Sequence, residues 1–177
     1  MLRDLLAEYL FKKGLELEEL GKLEEAIESF DKAIEVKPDY SEAWFKRGVA
    51  FLMLGKYEEA LKSFDKAIEI DKEFIGAWNG RGIALSHLGK SEEAVKSFDK
   101  VIEIDPNIAE AWSNRGLALY ELERYEEAIE SFDRALMLDP HLPVAWYNKA
   151  MTLEKLGRYD EAKKSYEMAK KIDPNLK

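Results

Sequence analysis

Residues Glu126–Pro140 read EEAIESFDRALMLDP, and thirty-four residues later Asp160–Pro174 read DEAKKSYEMAKKIDP. Both stretches place an alanine, an aromatic residue, a second alanine and a closing Asp-Pro at matching positions. The shared apolar positions are three or four residues apart, which is typical of one face of a helix. A helical segment that recurs at a fixed spacing indicates a repeat protein, so the period of the chain decides the fold.

The same period extends along the chain in several columns of matching residues. The columns are Trp44, Trp78, Trp112 and Trp146; Gly14, Gly48, Gly82 and Gly116; Ala26, Ala60, Ala94, Ala128 and Ala162; and Phe30, Phe64, Phe98, Phe132 and Tyr166. Apolar spacing within each copy predicts two helices. Gly21, Gly55, Gly89 and Gly157 stand at the predicted turn between them, where a left-handed residue commonly ends a helix, and Glu123 replaces this glycine once. Asp39 and Asn107 are predicted to cap the helices that follow them.

This pattern resembles the tetratricopeptide repeat family, whose period of 34 residues carries Trp, Gly, Ala, Phe and Pro columns. The resemblance implies an all-α, right-handed superhelical solenoid of antiparallel helix hairpins, with a concave groove lined mainly by the first helix of each hairpin. We expect a single domain over residues 1–177, with residues 1–6 extending the first helix. The predicted repeats are 7–40, 41–74, 75–108, 109–142 and 143–176.

The two ends of the repeat array differ from its middle. Lys163 and Lys170 stand where the preceding copy has Ile129 and Leu136, so this stripe of the last second helix should face water. Terminal repeats with a polar outer face are what a finite solenoid needs, and we expect the array to stop there. At the other end, we expect leucines 2, 5 and 6 to shield part of the first hairpin.

Composition narrows the class of protein. The 177 residues carry 36 acidic and 27 basic side chains, and the resulting charge of -9 disfavours nucleic acid and anionic membranes as partners. The sequence has no cysteine, and no apolar segment resembles a signal peptide or a membrane span. These features predict a cytoplasmic protein. No motif for a metal or another cofactor is found, so none is predicted.

The predicted ligand-binding site is the concave groove. Its candidate residues lie on the stripe of each first helix that faces neither the hairpin partner nor the preceding repeat: Phe11, Leu15, Phe45, Val49, Asn79, Ile83, Asn114, Leu117, Tyr120, Tyr147, Asn148 and Met151. An aliphatic column in such a stripe has two explanations, which the sequence leaves open. The side chains pack on one another where the solenoid curves, or they receive an apolar or amphipathic peptide.

The amides within this stripe have two explanations, contact with a peptide ligand or simple hydration. Asn114 and Asn148 share one column, and an amide both donates and accepts hydrogen bonds with an extended backbone. The carboxylate clamp of chaperone-binding relatives is not predicted, because its second asparagine falls in the aliphatic column. His87 and His141, the two histidines, lie far apart in the repeat array, so the sequence predicts no enzyme.

The predicted function is therefore a noncatalytic scaffold that binds a protein or peptide in the groove. The alternative is a structural module that associates with itself through the groove or the terminal stripes, as a homo-oligomer.

Overall fold

The computed structural model describes residues 1–176, which form helices joined by short turns and include no strand. The chain forms two compact units, Met1–Gly89 and Lys90–Lys177. The helices of unit 1 are α1 Leu2–Glu19, α2 Leu23–Val36, α3 Ser41–Met53, α4 Tyr57–Ile70 and α5 Ile75–His87. Those of unit 2 are α6 Ser91–Ile104, α7 Ala109–Glu121, α8 Tyr125–Leu138, α9 Pro143–Lys155 and α10 Tyr159–Ile172. The predicted all-α class is confirmed.

Helices pack in sequential order within each unit. In unit 1, α1 packs on α2, α2 on α3, α3 on α4 and α4 on α5. In unit 2, α6 packs on α7, α7 on α8, α8 on α9 and α9 on α10. Three second helices, α2, α4 and α8, thus contact both their own hairpin partner and the first helix that follows. This is the stacking of helix hairpins expected of a helical repeat.

The turns between paired helices use a left-handed residue, as predicted. Gly21, Gly55, Gly89 and Gly157 have φ values of 72°, 71°, 71° and 73°. Glu123 occupies the same position in the fourth repeat with a φ of 58°. A residue with a Cβ is strained in this region, so the turn geometry is imposed on Glu123 by the hairpin.

The glycine and phenylalanine columns pack directly on each other. A Cβ added to Gly48 would lie 2.7 Å from Phe64 Cε1, and one added to Gly116 would lie 2.7 Å from Phe132 Cε1. Both rings are fully buried. The predicted close approach of paired helices is confirmed, and the phenylalanine ring is what requires the glycine.

A column of ion pairs, which the sequence reasoning did not single out, joins each second helix to the first helix that follows it. Arg115 Nε lies 2.6 Å from Asp99 Oδ1, and the other guanidinium arm donates to Ser131 Oγ at 2.7 Å. The equivalent pairs are Arg47 with Asp31, Arg81 with Asp65, and Lys149 with Asp133. Their signal in the sequence was a basic residue three positions after each tryptophan and an aspartate after each buried phenylalanine.

The predicted helix caps are wrong. Tyr40 and Ile108 occupy the N-cap positions of α3 and α7, and neither helix has a side-chain cap. Asp39 and Asn107 therefore stand one residue too early to reach the unpaired amides of the first turn. The turn before α7 is held instead by Asp105, whose Oδ1 accepts from the Asn107 N–H at 2.9 Å.

The terminal stripes differ in exposure. Ile129 is buried in a cluster with Leu153 of α9, while Lys163 and Lys170 are exposed on α10. At the other end, Leu2, Leu5 and Leu6 of α1 are 86%, 58% and 49% exposed. Their shielding of the first hairpin stays a prediction.

Candidate functional site

The predicted groove residues form two surfaces, one in each unit. We call them the first-helix face of unit 1 and the first-helix face of unit 2. The face of unit 1 comprises Phe11 and Leu15 of α1, Phe45 and Val49 of α3, and Asn79 and Ile83 of α5. The face of unit 2 comprises Asn114, Leu117 and Tyr120 of α7, and Tyr147, Asn148 and Met151 of α9. All twelve side chains are half-buried, so each contributes to packing and also offers surface to a ligand.

Aromatic packing engages two residues of the face in unit 1. The Phe11 ring centroid lies 5.7 Å from that of Phe30 and 5.0 Å from that of Tyr40. Phe45 repeats the arrangement, with centroid distances of 6.0 Å to Phe64 and 4.8 Å to Phe74. Each ring thus joins its own hairpin to the turn that leads into the next repeat, and such aromatic contacts stabilise the fold.

Charged groups in unit 1 are engaged with each other beside this face. Lys46 Nζ lies 3.0 Å from Glu18 Oε2, in an ion pair that links α3 to α1. Lys12 Nζ lies 2.9 Å from Glu8 Oε1, and the hydrogen bond and charge of Glu8 raise the pKa of Lys12. Lys12 and Lys46 occupy the column that holds Asn114 and Asn148 in unit 2. The amide column is therefore confined to unit 2.

Tyrosines distinguish the face of unit 2. Tyr147 meets Tyr166 of α10 edge-on at 5.4 Å, and Tyr120 lies 5.6 Å from Tyr125. The Tyr166 hydroxyl donates to Glu154 Oε2 at 3.0 Å. Burial, followed by this hydrogen bond and the charge of Glu154, raises the pKa of Tyr166 to about 12. Tyr166 is therefore a neutral donor at physiological pH, and it fixes the carboxylate at the end of the face.

Unit 2 also contains an open pocket of about 260 Å³ beside this face. It is lined by Glu110, Ser113, Asn114, Leu142, Pro143, Val144 and Ala145. Asn114 belongs to the predicted site, whereas residues 142–144 were missed because they lie in the turn before α9 and at its start. The sequence signal that could have identified them is Ser113, because a small residue stands there in the column of Phe11 and Phe45.

A second open pocket, of about 410 Å³, lies on the last hairpin of unit 2. Tyr159, Tyr166, Glu154 and Glu167 line it together with Lys163 and Lys170. Lys163 and Lys170 occupy the positions of Ile129 and Leu136 in the preceding repeat, so the pocket lies on the equivalent stripe of α10. The exposed charged groups of Lys163 and Lys170 make this stripe compatible with water.

The remaining chemistry of the described chain is sparse. Within residues 1–176, His, Asp and Glu side chains form no group of three that could hold a metal ion. None of the helices in this range combines the length and apolar character needed to cross a bilayer. His87 stacks on Tyr57 with a centroid distance of 4.4 Å in unit 1, while His141 lies in a turn of unit 2.

Comparison with protein families identifies the repeats. Profiles described as tetratricopeptide repeat match residues 11–73, 76–108, 109–142 and 143–176. These matches cover most of the chain and confirm the resemblance inferred from the columns.

A relative among curated proteins is an uncharacterized protein of Methanocaldococcus jannaschii. It is 53% identical over 38 residues, which cover 22% of this chain and 44% of that protein. The matched segment thus spans less than half the length of this relative.

Solved structures resemble the chain more extensively. MamA is 22% identical with a TM-score of 0.85, covering 91% of this chain and 94% of that chain. MamA from Desulfovibrio magneticus RS-1, residues 41 to the end, is 20% identical with a TM-score of 0.89, and coverage is 96% of both chains. YrrB, described as having an unusual peptide-binding site, is 24% identical with a TM-score of 0.80, covering 94% of this chain and 86% of that chain. At these identities the likeness establishes the fold.

Proposed function

Because this chain belongs to the tetratricopeptide repeat family, we propose that it is a noncatalytic protein-interaction scaffold whose first-helix face in unit 2 binds a peptide segment of a partner. Helical repeats commonly bind partners through an extended surface of this kind. The peptide-binding site ascribed to YrrB supports the same use of the fold.

The observation that carries the proposal is the half-exposed Leu117 and Met151 beside two amides. Both side chains keep apolar surface in contact with water, and covering such surface is favourable. Asn114 and Asn148 each precede one of them by three residues in the same helix, where their amides are suited to the backbone of an extended ligand. An apolar column flanked by amides suits a peptide with alternating apolar anchors and accessible backbone groups.

The test replaces Leu117 and Met151 with glutamate. Peptides selected from a random library on the unaltered protein should lose binding to the double variant, since two charges would be placed under the apolar part of the ligand. Fluorescence anisotropy measures the affinity, and far-ultraviolet circular dichroism checks that the helices and their melt are retained.

A matched control changes the same unit by the same charge away from the face. Met137 of α8 and Met168 of α10 are exposed, and Met137→Glu with Met168→Glu should leave peptide binding intact. Peptide affinity that survives Leu117→Glu with Met151→Glu rules out this face as the binding surface.

Self-association is the second candidate, and an exposed apolar stripe on α1 favours it. Leu2, Leu5, Leu6 and Tyr9 form an exposed apolar stripe at helical spacing. A scaffold that binds other proteins should have a concentration-independent mass by light scattering when free. A mass that rises with concentration and returns to the monomer value in Leu5→Glu with Leu6→Glu would favour self-association through α1.

A further inference from the structure

The pocket beside Ser113 lies where an aromatic pair of unit 1 is replaced by two residues without rings. In unit 1, Phe11 lies against Tyr40 and Phe45 lies against Phe74, at centroid distances of 5.0 and 4.8 Å. Sixty-eight residues after Phe45 and Phe74, the same two positions are Ser113 and Leu142. Serine has no ring to place against Leu142, and these two residues line the pocket of about 260 Å³.

The rest of the lining corresponds to the surroundings of Phe45. A Cβ added to Gly76 would lie 3.0 Å from Phe45 Cζ, so that ring reaches the start of the next first helix. The residue equivalent to Gly76 is Val144, which also lines the pocket. The open space in unit 2 is therefore the space that a phenylalanine side chain fills in unit 1.

The size of the pocket limits its occupant. Sites for drug-sized ligands measure roughly 300 to 1,000 Å³, so this pocket is suited to a single large side chain. Its wall of Leu142, Pro143 and Val144 is apolar, and a buried aromatic side chain gains the most from such a wall.

The polar edge of the pocket indicates what flanks that side chain. Glu110 contributes an exposed carboxylate and Asn114 an amide, within a chain whose formal charge is -9. A basic residue next to the aromatic one would meet Glu110, whereas an acidic residue would be repelled by it.

We infer that this pocket is an anchor subsite for one aromatic side chain of a bound peptide, with a lysine or arginine beside that side chain facing Glu110. The inference rests on the proposed function, because it specifies which residues the peptide places on unit 2. The turn before α9 is thereby part of the binding surface, together with the first helices.

The first experiment uses two small probes. N-acetyl-phenylalanyl-lysine amide should produce saturable chemical-shift changes at the backbone amides of Ser113, Val144 and Ala145 in ¹⁵N-labelled protein. N-acetyl-alanyl-lysine amide should bind about tenfold more weakly or worse, because it leaves the apolar wall uncovered. Equal shifts with both probes would overturn the inference.

Two variants test the geometry. Ser113→Phe should fill the pocket and abolish the shifts, while Ser113→Ala, which leaves the space open, should retain them. Phe11 tolerates Glu42 at the position equivalent to Val144, so a phenylalanine is compatible with a Cβ there. Probe binding that is unchanged in a folded Ser113→Phe protein excludes the pocket.

Glu110→Lys tests the charge and does not depend on repacking, since Glu110 is exposed. This variant should bind the lysine probe several-fold more weakly and N-acetyl-phenylalanyl-glutamate amide several-fold more tightly than the unaltered protein does. An unaltered preference between the two probes would remove the basic residue from the inference.

The library peptides separate this inference from the function on which it rests. Peptides selected on the unaltered protein should carry an aromatic residue at one fixed position, and selection on Ser113→Phe should lose that preference. Peptides that lack the aromatic residue yet still require Leu117 and Met151 would refute the subsite alone. Peptides that ignore Leu117 and Met151 would refute the proposed function.

Discussion

At the scale of single residues, the turn at Glu123 shows a position where the hairpin geometry overrides the residue's own preference. Its φ of 58° matches the four turn glycines, although glutamate carries a Cβ. Glu123→Gly should raise the free energy of unfolding by about 1 kcal/mol, because the left-handed conformation is strained for residues other than glycine. Urea denaturation of the two proteins measures the difference.

Glu123→Ala is the control for this change, since it removes the charge and keeps the Cβ. It should give no comparable gain. An equal gain from alanine would mean that the glutamate side chain, and not the backbone angle, is the source of the strain.

Tyr166 provides a residue-scale prediction about pH. Its pKa rises from 10.0 to about 12 in the folded protein, mainly through burial and then through the hydrogen bond to Glu154. The folded state therefore favours the neutral phenol more than the unfolded state does. This contribution to stability is fully present below about pH 10 and is lost as the pH rises towards about 12.

Unfolding free energies measured between pH 8 and pH 12 test this prediction. Tyr166→Phe should weaken the alkaline loss of stability relative to the unaltered protein, while Tyr159→Phe, at an exposed tyrosine of the same helix, should not. Parallel alkaline slopes in the unaltered protein and Tyr166→Phe would contradict it.

At the scale of helices, the first and second helices of a repeat differ in how deeply their side chains are buried. The second helices α2, α4 and α8 each carry a fully buried phenylalanine and contact a first helix on either side, whereas first helices carry the half-buried side chains of the candidate site. One stripe of α10 differs from the equivalent stripe of α8. Lys163 and Lys170 are exposed where Ile129 and Leu136 are buried in α8.

Lys163→Ile with Lys170→Ile should therefore create an exposed apolar surface on α10 that promotes self-association. The apolar stripe would match the one that a following hairpin covers, so the variant should associate in a concentration-dependent manner in light scattering. Lys164→Ile with Lys171→Ile adds the same apolar content to α10 outside the stripe. Equal association of the two variants would show that the position of the stripe is irrelevant.

At the scale of the whole molecule, periodic columns predicted most of the fold and less of the site. Glycine, alanine and aromatic columns repeat because they meet the same neighbours in every copy, so the helix pairs and turns followed from them. The helix caps did not follow from the columns, because the N-caps of α3 and α7 lie one residue after the predicted positions. The columns did not predict the pocket, because it arises where Ser113 stands in place of a phenylalanine such as Phe45.

All twelve candidate residues are half-buried, since none of them is fully buried or fully exposed. Their use in ligand binding stays a prediction. Phe11 and Phe45 show why sequence alone does not decide it, since a groove position and a packing position share one column. The ring partners, Phe30 and Tyr40 for Phe11 and Phe64 and Phe74 for Phe45, show how far each ring is engaged in packing.

The tryptophans give this protein built-in optical reporters. Each indole Nε1 donates at 2.9 Å to the carbonyl six residues earlier, in the turn before its helix: Trp44 to Pro38, Trp78 to Lys72, Trp112 to Pro106 and Trp146 to Pro140. Loosening of a turn would remove that bond and expose the indole to solvent quenching. Variants that keep one tryptophan and replace the other three with phenylalanine would follow four separate junctions by fluorescence, without any added dye.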